Sequence, residues 1–386
     1  RAHSKRADLM ISQGRWSDAE RYLLRELALD SLAMVAGSGP CTPCEVLWRL
    51  ARVRLAEGNR AGADEAARRW VALPPDLPSA WRNLSATLAA VGRTDEAVDA
   101  GFHLVALSRE ALSAVDFGRT MLSARRYAIV DSLVRAWRGT RDPVLANGAR
   151  DLELMLERER GQFGASLATI AAHPELREGL APIEADGLAR VGRIGDARKL
   201  FEGIGHPAGS SRTGQLTAPE ARGYSWMHAL EADALLRAGD TLAARPLIDS
   251  LERSGAQSYY GRDRLLHHHV RGMLFFAEGR FADAERELRL AEWSANGWTR
   301  TNIELARAQL AQRHPADAIA TLRDAYLAPL DGMGRYVPRS EIDWWMARAF
   351  SAAGMPDSSA RYAAFAREAW REGDRQVRAR LDSTSR

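Results

Sequence analysis

Apolar side chains recur along this chain at helical intervals, in short runs that each end at a glycine. Trp81, Leu84, Ser85 and Leu88 share one helix face and lead into Gly92, after which Ala97 and Val98 open a second face. The same phrase returns throughout: a glycine, a large side chain two positions later, a small one five positions later. It begins at Gly14 (with Trp16 and Ala19), Gly58, Gly92, Gly161 (with Phe163 and Ser166), Gly192, Gly239, Gly279 (with Phe281 and Ala284) and Gly354. Copies without the glycine stand at Arg125-Arg126-Tyr127 and around Arg313 to Ala318. This makes about ten units at intervals of about 31 to 47 residues, the range of helical repeat arrays. Alternating runs of β-branched residues are absent between the breakers, so the pattern predicts no sheet.

The phrase has a physical reading. Glycine ends a helix in the left-handed conformation without a Cβ clash. The large residue packs the turn, and the small residue lets the returning helix approach closely. Each unit is therefore predicted to be a pair of antiparallel helices, and the chain an all-α solenoid of about ten such pairs.

The best copies resemble the tetratricopeptide repeat family. Trp81, Leu84, Ser85, Gly92 and Ala97 match its pattern in one unit, and Gly272, Phe275, Gly279, Phe281, Ala284, Leu288 and Ala291 in another; Pro74, Pro75 and Pro78 sit where that family places proline between repeats. The resemblance implies a right-handed solenoid that binds protein partners. The irregular, alanine- and arginine-rich units look like repeat regions appended to bacterial serine/threonine kinases or transcriptional activators, which implies a sensor or docking arm of a larger protein. The opening Arg1 fits an excised or processed piece.

Three stretches interrupt the array: Met34 to Cys44, Gly203 to Gly223, and Pro329 to Pro338. The second, rich in Gly, Ser, Thr and Pro, is far longer than a usual helix–helix connection. It divides the chain into an N-terminal solenoid (1–202), a connector (203–223), a C-terminal solenoid (224–381) and a tail (382–386).

Composition narrows the function without naming it. The 54 Lys and Arg against 50 Asp and Glu leave a formal charge of +4, with Lys5 and Lys199 the only lysines. Basic residues form no stripe of the kind nucleic acid requires, which argues against a nucleic-acid partner. Mean hydropathy is −0.32 and no apolar run approaches a membrane span, so membrane insertion of this segment is not expected.

Candidate chemistry is sparse. Cys41-Thr42-Pro43-Cys44-Glu45 reads as a helix start, with Thr42 and Glu45 forming a capping box and Pro43 at the first helical position. Cys44 then lies in the first turn, where the helix dipole lowers a thiol pKa. A structural disulfide or inert pair ranks first for the two cysteines, a reversible redox or metal-linked role second, catalysis last; the strand and βαβ context of a thioredoxin-like motif is missing. A disulfide would place the domain outside the cytoplasm; without one the cytoplasm is expected. His267-His268-His269 cannot converge on one ion, because successive helical residues point about 100° apart; His228 in the preceding unit could approach His268. No metal or cofactor is expected. Nucleophile, phosphate-loop and zinc motifs are absent, so the chain reads as a non-enzymatic scaffold.

The resemblance also implies which residues line the partner-binding face. By register these are Trp48 and Arg52, Arg82 with Asn83, Trp226 and Arg237, His269, Met273 and Phe276, and Trp344 and Arg348. Arginine beside aromatic residues suits a protein or peptide partner carrying carboxylates. The family's carboxylate clamp uses lysine and asparagine at set positions, and only Arg82 and Asn83 match it here. Packing against neighbouring helices is the competing role for each residue, evenly weighted for Trp48 and Trp226. The alternatives to a docking scaffold are self-assembly through apolar solenoid ends and a redox-responsive module built on Cys41 and Cys44.

Overall fold

A computed structural model of the chain describes residues 2–33, 42–73, 77–108, 110–174, 177–205, 216–295, 297–327 and 337–382. Cys41, Pro74 and Pro75, and most of the three interrupting stretches, lie outside the described residues. The described residues form α-helices and short 3₁₀ turns, and contain no strand. The chain divides into two compact units, residues 1–156 with 294–296, and residues 157–293 with 297–386. The connector at 203–223 thus falls inside the second unit.

The first unit holds α1 (Ala2–Ser12), α2 (Trp16–Ala33), α3 (Thr42–Ala56), α4 (Arg60–Val71), α5 (Pro78–Ala90), α6 (Thr94–Leu107), α7 (Ala111–Ser123), α8 (Tyr127–Trp137) and most of α9 (Pro143–Glu159). The second holds the last turn of α9, then α10 (Phe163–Ala171), α11 (Arg177–Arg190), α12 (Ile194–Gly205), α13 (Ala218–Arg237), α14 (Thr241–Gln257), α15 (Leu266–Ala277), α16 (Phe281–Leu290), α17 (Thr299–Ala311), α18 (Pro315–Leu327), α19 (Arg339–Ala352), α20 (Pro356–Ala369) and α21 (Arg375–Asp382). Helices pack chiefly on their neighbours in sequence, as a repeat array requires.

The turns explain the hairpins. All eight glycines of the repeat phrase have positive φ, between 66° at Gly161 and 85° at Gly192. Arg125 and Arg313, which stand where the degenerate copies lack glycine, take the same conformation at φ 59° and 64°. After each of these ten residues, the next backbone N–H reaches back five residues to close the helix end, as in Arg280 to Phe275 O at 2.8 Å and His314 to Gln309 O at 2.9 Å. Reversal within so few residues makes the two helices antiparallel. The partner helix then packs closely: Ala19, Ala63, Ala197, Ala244, Ala284 and Ala318 are fully buried.

A second small position, seven residues before every turn except that at Gly161, where Leu154 stands, meets them. It is Ala7, Ala51, Ser85, Gly118, Ala185, Ala232, Gly272, Ala306 or Ala347, all buried. There the Ser85 hydroxyl donates to Ala97 O at 2.8 Å. A Cβ on Gly272 would lie 3.1 Å from Ala284 O and 2.6 Å from Leu288.

In the second unit the array closes on itself. Asp374 N donates to Gly161 O at 2.9 Å, Gly164 N to the Asp374 carboxylate at 3.0 Å, and Gln162 Nε2 to Glu372 O at 3.2 Å. Next to this seam the Glu159 carboxylate accepts from Arg339 N at 2.7 Å and Ser340 N at 3.1 Å, capping the start of α19. The unit's first and last hairpins therefore touch, and α11, α13, α15, α17 and α19 lie inside. α13 and α17 are buried almost all round, unlike an ordinary amphipathic surface helix. One hydrophobic core runs from α11 and α12 (Ala185, Leu188, Phe201) through α13 (Trp226, Leu230, Leu235) into α14 and α15.

Candidate functional site

The inner helices of the second unit meet through charges as well as through that core. Asp186 on α11 pairs with Arg158, with Arg190 at 3.0 Å and with Arg300 on α17 at 3.3 Å. Arg300 also reaches Asp233 on α13 at 2.8 Å. Arg237 on α13 holds Asp233 at 3.2 Å and Glu304 on α17 at 2.8 Å. Arg190 reaches Glu341 on α19 at 3.0 Å. Asp186, Asp233, Glu304 and Glu341 are all buried, as are Arg158 and Arg300.

Charges this deep persist only because they are mutually paired. Burial pushes the Asp186 carboxyl up, but Arg190, Arg158 and Arg300 outweigh it and hold the group well below its ordinary value. Burial likewise opposes ionisation of Glu341, yet Arg190, Arg237 and Arg380 bring its pKa down to about 2. A carboxyl held ionised in this way is a poor general acid at neutral pH. His269 shows the reverse effect: burial pushes its imidazole down to about 4, against the pull of Asp233 and Glu304.

The residues assigned by register to the partner-binding face separate into two groups. Trp226 is 1% exposed, packs edge-to-face on Trp298 with centroids 5.3 Å apart, and donates its indole N–H to Asp263 at 2.8 Å. His269 and Met273 are buried, the first 3.1 Å from the Thr301 hydroxyl, and Asn83 is buried in the first unit. Arg237 belongs to the internal ion-pair network. Trp226, His269, Met273 and Asn83 are part of the interior, whereas the Arg237 side chain stays 24% exposed while it serves the network.

The remaining residues, except Trp344, reach solvent. Trp48 is 39% exposed and lies between Arg52, whose guanidinium is 4.9 Å from the ring centroid, and Arg49 at 5.8 Å. Arg82 is half-buried against Asp116 at 2.5 Å. Phe276 is half-buried beneath Arg307 at 4.5 Å. Trp344 is largely covered, whereas Arg348 is exposed above it at 5.2 Å and above Trp345 at 5.5 Å. Trp48/Arg52 and Trp344/Arg348 have the same i, i+4 spacing, which stacks both pairs on one helix face.

The other candidates resolve locally. α3 begins at Thr42, as its start signal predicts, with Glu45 in the first turn. Cys44 is buried and disulfide-bonded; Cys41, the chain's other cysteine, lies outside the described residues. His268 sits 2.8 Å from Glu287, His228 packs on Tyr224 at 4.0 Å, and His267 stacks on His268 at 4.0 Å. No group of three or more ligating side chains converges among the described residues. No described helix is long and apolar enough to cross a membrane. The first unit also carries an apolar cleft of about 340 Å³ between α2, α3 and α4, lined by Leu24, Leu27, Pro43, Leu47 and Leu73.

The register reading missed most of the ion-pair network. Asp186, Asp233, Arg300, Glu304 and Glu341 look in sequence like ordinary charged helix positions. A signal was present in α17, where TRTNIE places polar residues on every face of a helix that the array must bury.

No protein-family model and no curated protein matches the chain. Among solved structures, the chain is similar to a tetratricopeptide repeat protein from Parabacteroides merdae, at 10% identity and TM-score 0.33, covering 82% of this chain and 99% of that one. It is also similar to the Cut9-Hcn1 hetero-tetramer of the APC/C, at 11% identity and TM-score 0.33, covering 98% and 95%. The human IFIT1 dimer follows at 13% identity and TM-score 0.41, covering 98% and 85%. At these values the comparisons add nothing to what the turns show directly. Ten left-handed helix ends, each with its five-residue back-bond and most faced by small residues, give this chain a helical-hairpin repeat fold of the tetratricopeptide type.

Proposed function

We propose that the protein is a non-enzymatic scaffold that binds a protein or peptide carrying carboxylates. The observation that supports this reading most directly is the repeated tryptophan–arginine pair. Arg52 on Trp48 and Arg348 on Trp344 are exposed guanidiniums on aromatic platforms, and neither forms an ion pair within the described residues. Stacking holds the cation in place while leaving its N–H fork open to a carboxylate from outside. The inner helices of the second unit carry many of the protein's own ion pairs, so this reading places binding on the exposed guanidiniums that have none. The disulfide-bonded state of Cys44 favours an oxidising compartment.

The test is affinity capture from native extract with the purified protein and with the double variant Arg52→Ala, Arg348→Ala, washed at low and high salt. The reading expects a partner lost at high salt and lost with the variant. An unchanged capture set would overturn it. Light scattering over a concentration series checks the self-assembly alternative, which a concentration-independent monomer excludes.

A further inference from the structure

The C-terminal helix α21 lies across a face of α19 that has other support. Val377 is the one buried residue among the described residues of α21, while Arg375, Gln376, Arg378 and Ala379 face solvent. Val377 fills a slot left by a glycine: a Cβ on Gly161 would come within 2.6 Å of the Val377 Cγ1 and 3.3 Å of Trp370. Arg380 follows three positions later on the same helix face. Its carbonyl accepts the Trp344 indole N–H at 3.1 Å, and its guanidinium lies 5.6 Å from the Trp344 ring. Beneath this helix Trp344 is 6% exposed.

These contacts are ones that another segment could supply. The Trp344 N–H meets a main-chain carbonyl, which every peptide carries. The Arg380 guanidinium is 3.9 Å from Glu341, but Glu341 also pairs with Arg190 at 3.0 Å, so the buried carboxylate keeps a counter-charge when α21 leaves. Closure of the unit has a seam that α21 does not touch: besides capping α19, Glu159 accepts at its carbonyl from the Ser340 hydroxyl at 2.7 Å. The base of α21 is anchored separately, through Asp374 on Gly161 and Gly164. Eight residues are too few to stay helical alone in water, so docking is what keeps α21 helical. Opening of such an element about its fixed base costs far less than unfolding the unit.

We propose that α21 is a displaceable strap, the chain's own occupant of an interaction surface formed by Gly161, Glu341, Trp344 and Trp370. The surface fits a short basic helix of a partner, with a β-branched apolar residue and an arginine three positions later. The resident helix supplies the template, since Val377 fills the glycine slot and Arg380 lies over Trp344 towards Glu341. A tether this short presents the strap at an effective concentration on the order of millimolar, so the surface is closed to weaker segments until the strap is released. This goes beyond the carboxylate-binding reading, because the segment that fits here is cationic and Arg52 takes no part.

The test uses the full chain, wild type and Val377→Asp, with hydrogen exchange followed by mass spectrometry and fluorescence anisotropy of a labelled peptide spanning Gly373–Leu381. In the wild type, amides of α21 should exchange faster than those of α20. In Val377→Asp they should lose protection while α19 keeps its own. The peptide should bind the variant about tenfold or more tighter than the wild type, because the wild-type surface is open only in the undocked fraction. A peptide carrying Val377→Asp should not bind, and one carrying Arg380→Ala should bind more weakly. Protection of α21 equal to that of α20 in the wild type overturns the strap. Equal binding of the peptide to both proteins, or no binding to the variant, overturns the surface. Binding of the Val377→Asp peptide as well as the parent overturns the slot. Loss of α19 protection in Val377→Asp and also in the milder Val377→Ala makes α21 an integral part of the unit and overturns the proposal. None of these outcomes bears on Arg52 or Arg348, whose capture experiment decides the scaffold reading separately.

Discussion

Replacing His269 by glutamine should flatten the acid limb of the protein's stability profile. The imidazole is 2% exposed on α15, its Nδ1 3.1 Å from the Thr301 hydroxyl and its ring 5.3 Å from that of Trp298. Burial pushes its pKa from 6.5 to about 4, Asp233 and Glu304 oppose that shift, and Arg300 and Arg237 reinforce it. Between these values the folded protein keeps the ring neutral while the unfolded chain takes up a proton. Unfolding therefore becomes more favourable as pH falls through 6.5, and the penalty is complete below the folded pKa. At ~1.4 kcal/mol per pH unit, the interval gives an upper figure of about 3 kcal/mol. His267, whose pKa burial and His268 also lower, adds a contribution of the same sign; Glu341 and Asp186 act only at lower pH. The difference between wild type and His269→Gln isolates the one group, and the glutamine amide can still reach Thr301. Chemical denaturation followed by circular dichroism, from neutral pH to about pH 4.5, should show the variant losing less stability than the wild type by ~2–3 kcal/mol. Parallel curves would show that His269 is protonated in the folded protein and that the burial argument is wrong.

Three further outcomes follow from the packing. Asp186→Asn should cost ~3–5 kcal/mol in denaturant titration, because Arg158, Arg190 and Arg300 lose their common counter-charge in the interior; a cost under about 1 kcal/mol would mean the network is hydrated. Gly279→Val should lower thermal stability and Arg313→Gly should raise it by up to about 1 kcal/mol, since both sites hold the left-handed turn that only glycine adopts without strain; shifts of the same sign would refute the common turn. Gly272→Ala should cost ~1–3 kcal/mol by overpacking against Leu288 and Ala284, read as a lower melting temperature.

Much of the fold could be read from the chain. Every glycine of the repeat phrase proved to be a left-handed helix end, and Arg125 and Arg313 took that conformation without being glycine. Their side-chain strain is tolerated because the surrounding hairpin fixes the backbone. The small residue seven positions before the turn was equally visible in Ala7, Ala51 and Ala306, but alanine is common in helices, and the pattern stands out only once both helices are seen to meet there. The candidate site was far less legible. Trp48, Arg52 and Arg348 reach solvent while Trp344 is covered, and Trp226, which the register placed on the same face, lies inside a core shared with Trp298.

Local interactions settle secondary structure and hairpin geometry, because a left-handed glycine and a facing alanine act within a few dozen residues. Those features, and the all-α repeat, belong to the sequence. Closure of the second unit does not. The bonds from Gly161 and Glu159 to Asp374 and Ser340 join segments about two hundred residues apart in the chain, and no local pattern encodes which arginine a distant aspartate will meet. Only that closure turned Asp186 and Glu341 from apparent surface charges into buried, paired ones, and left Arg348 exposed.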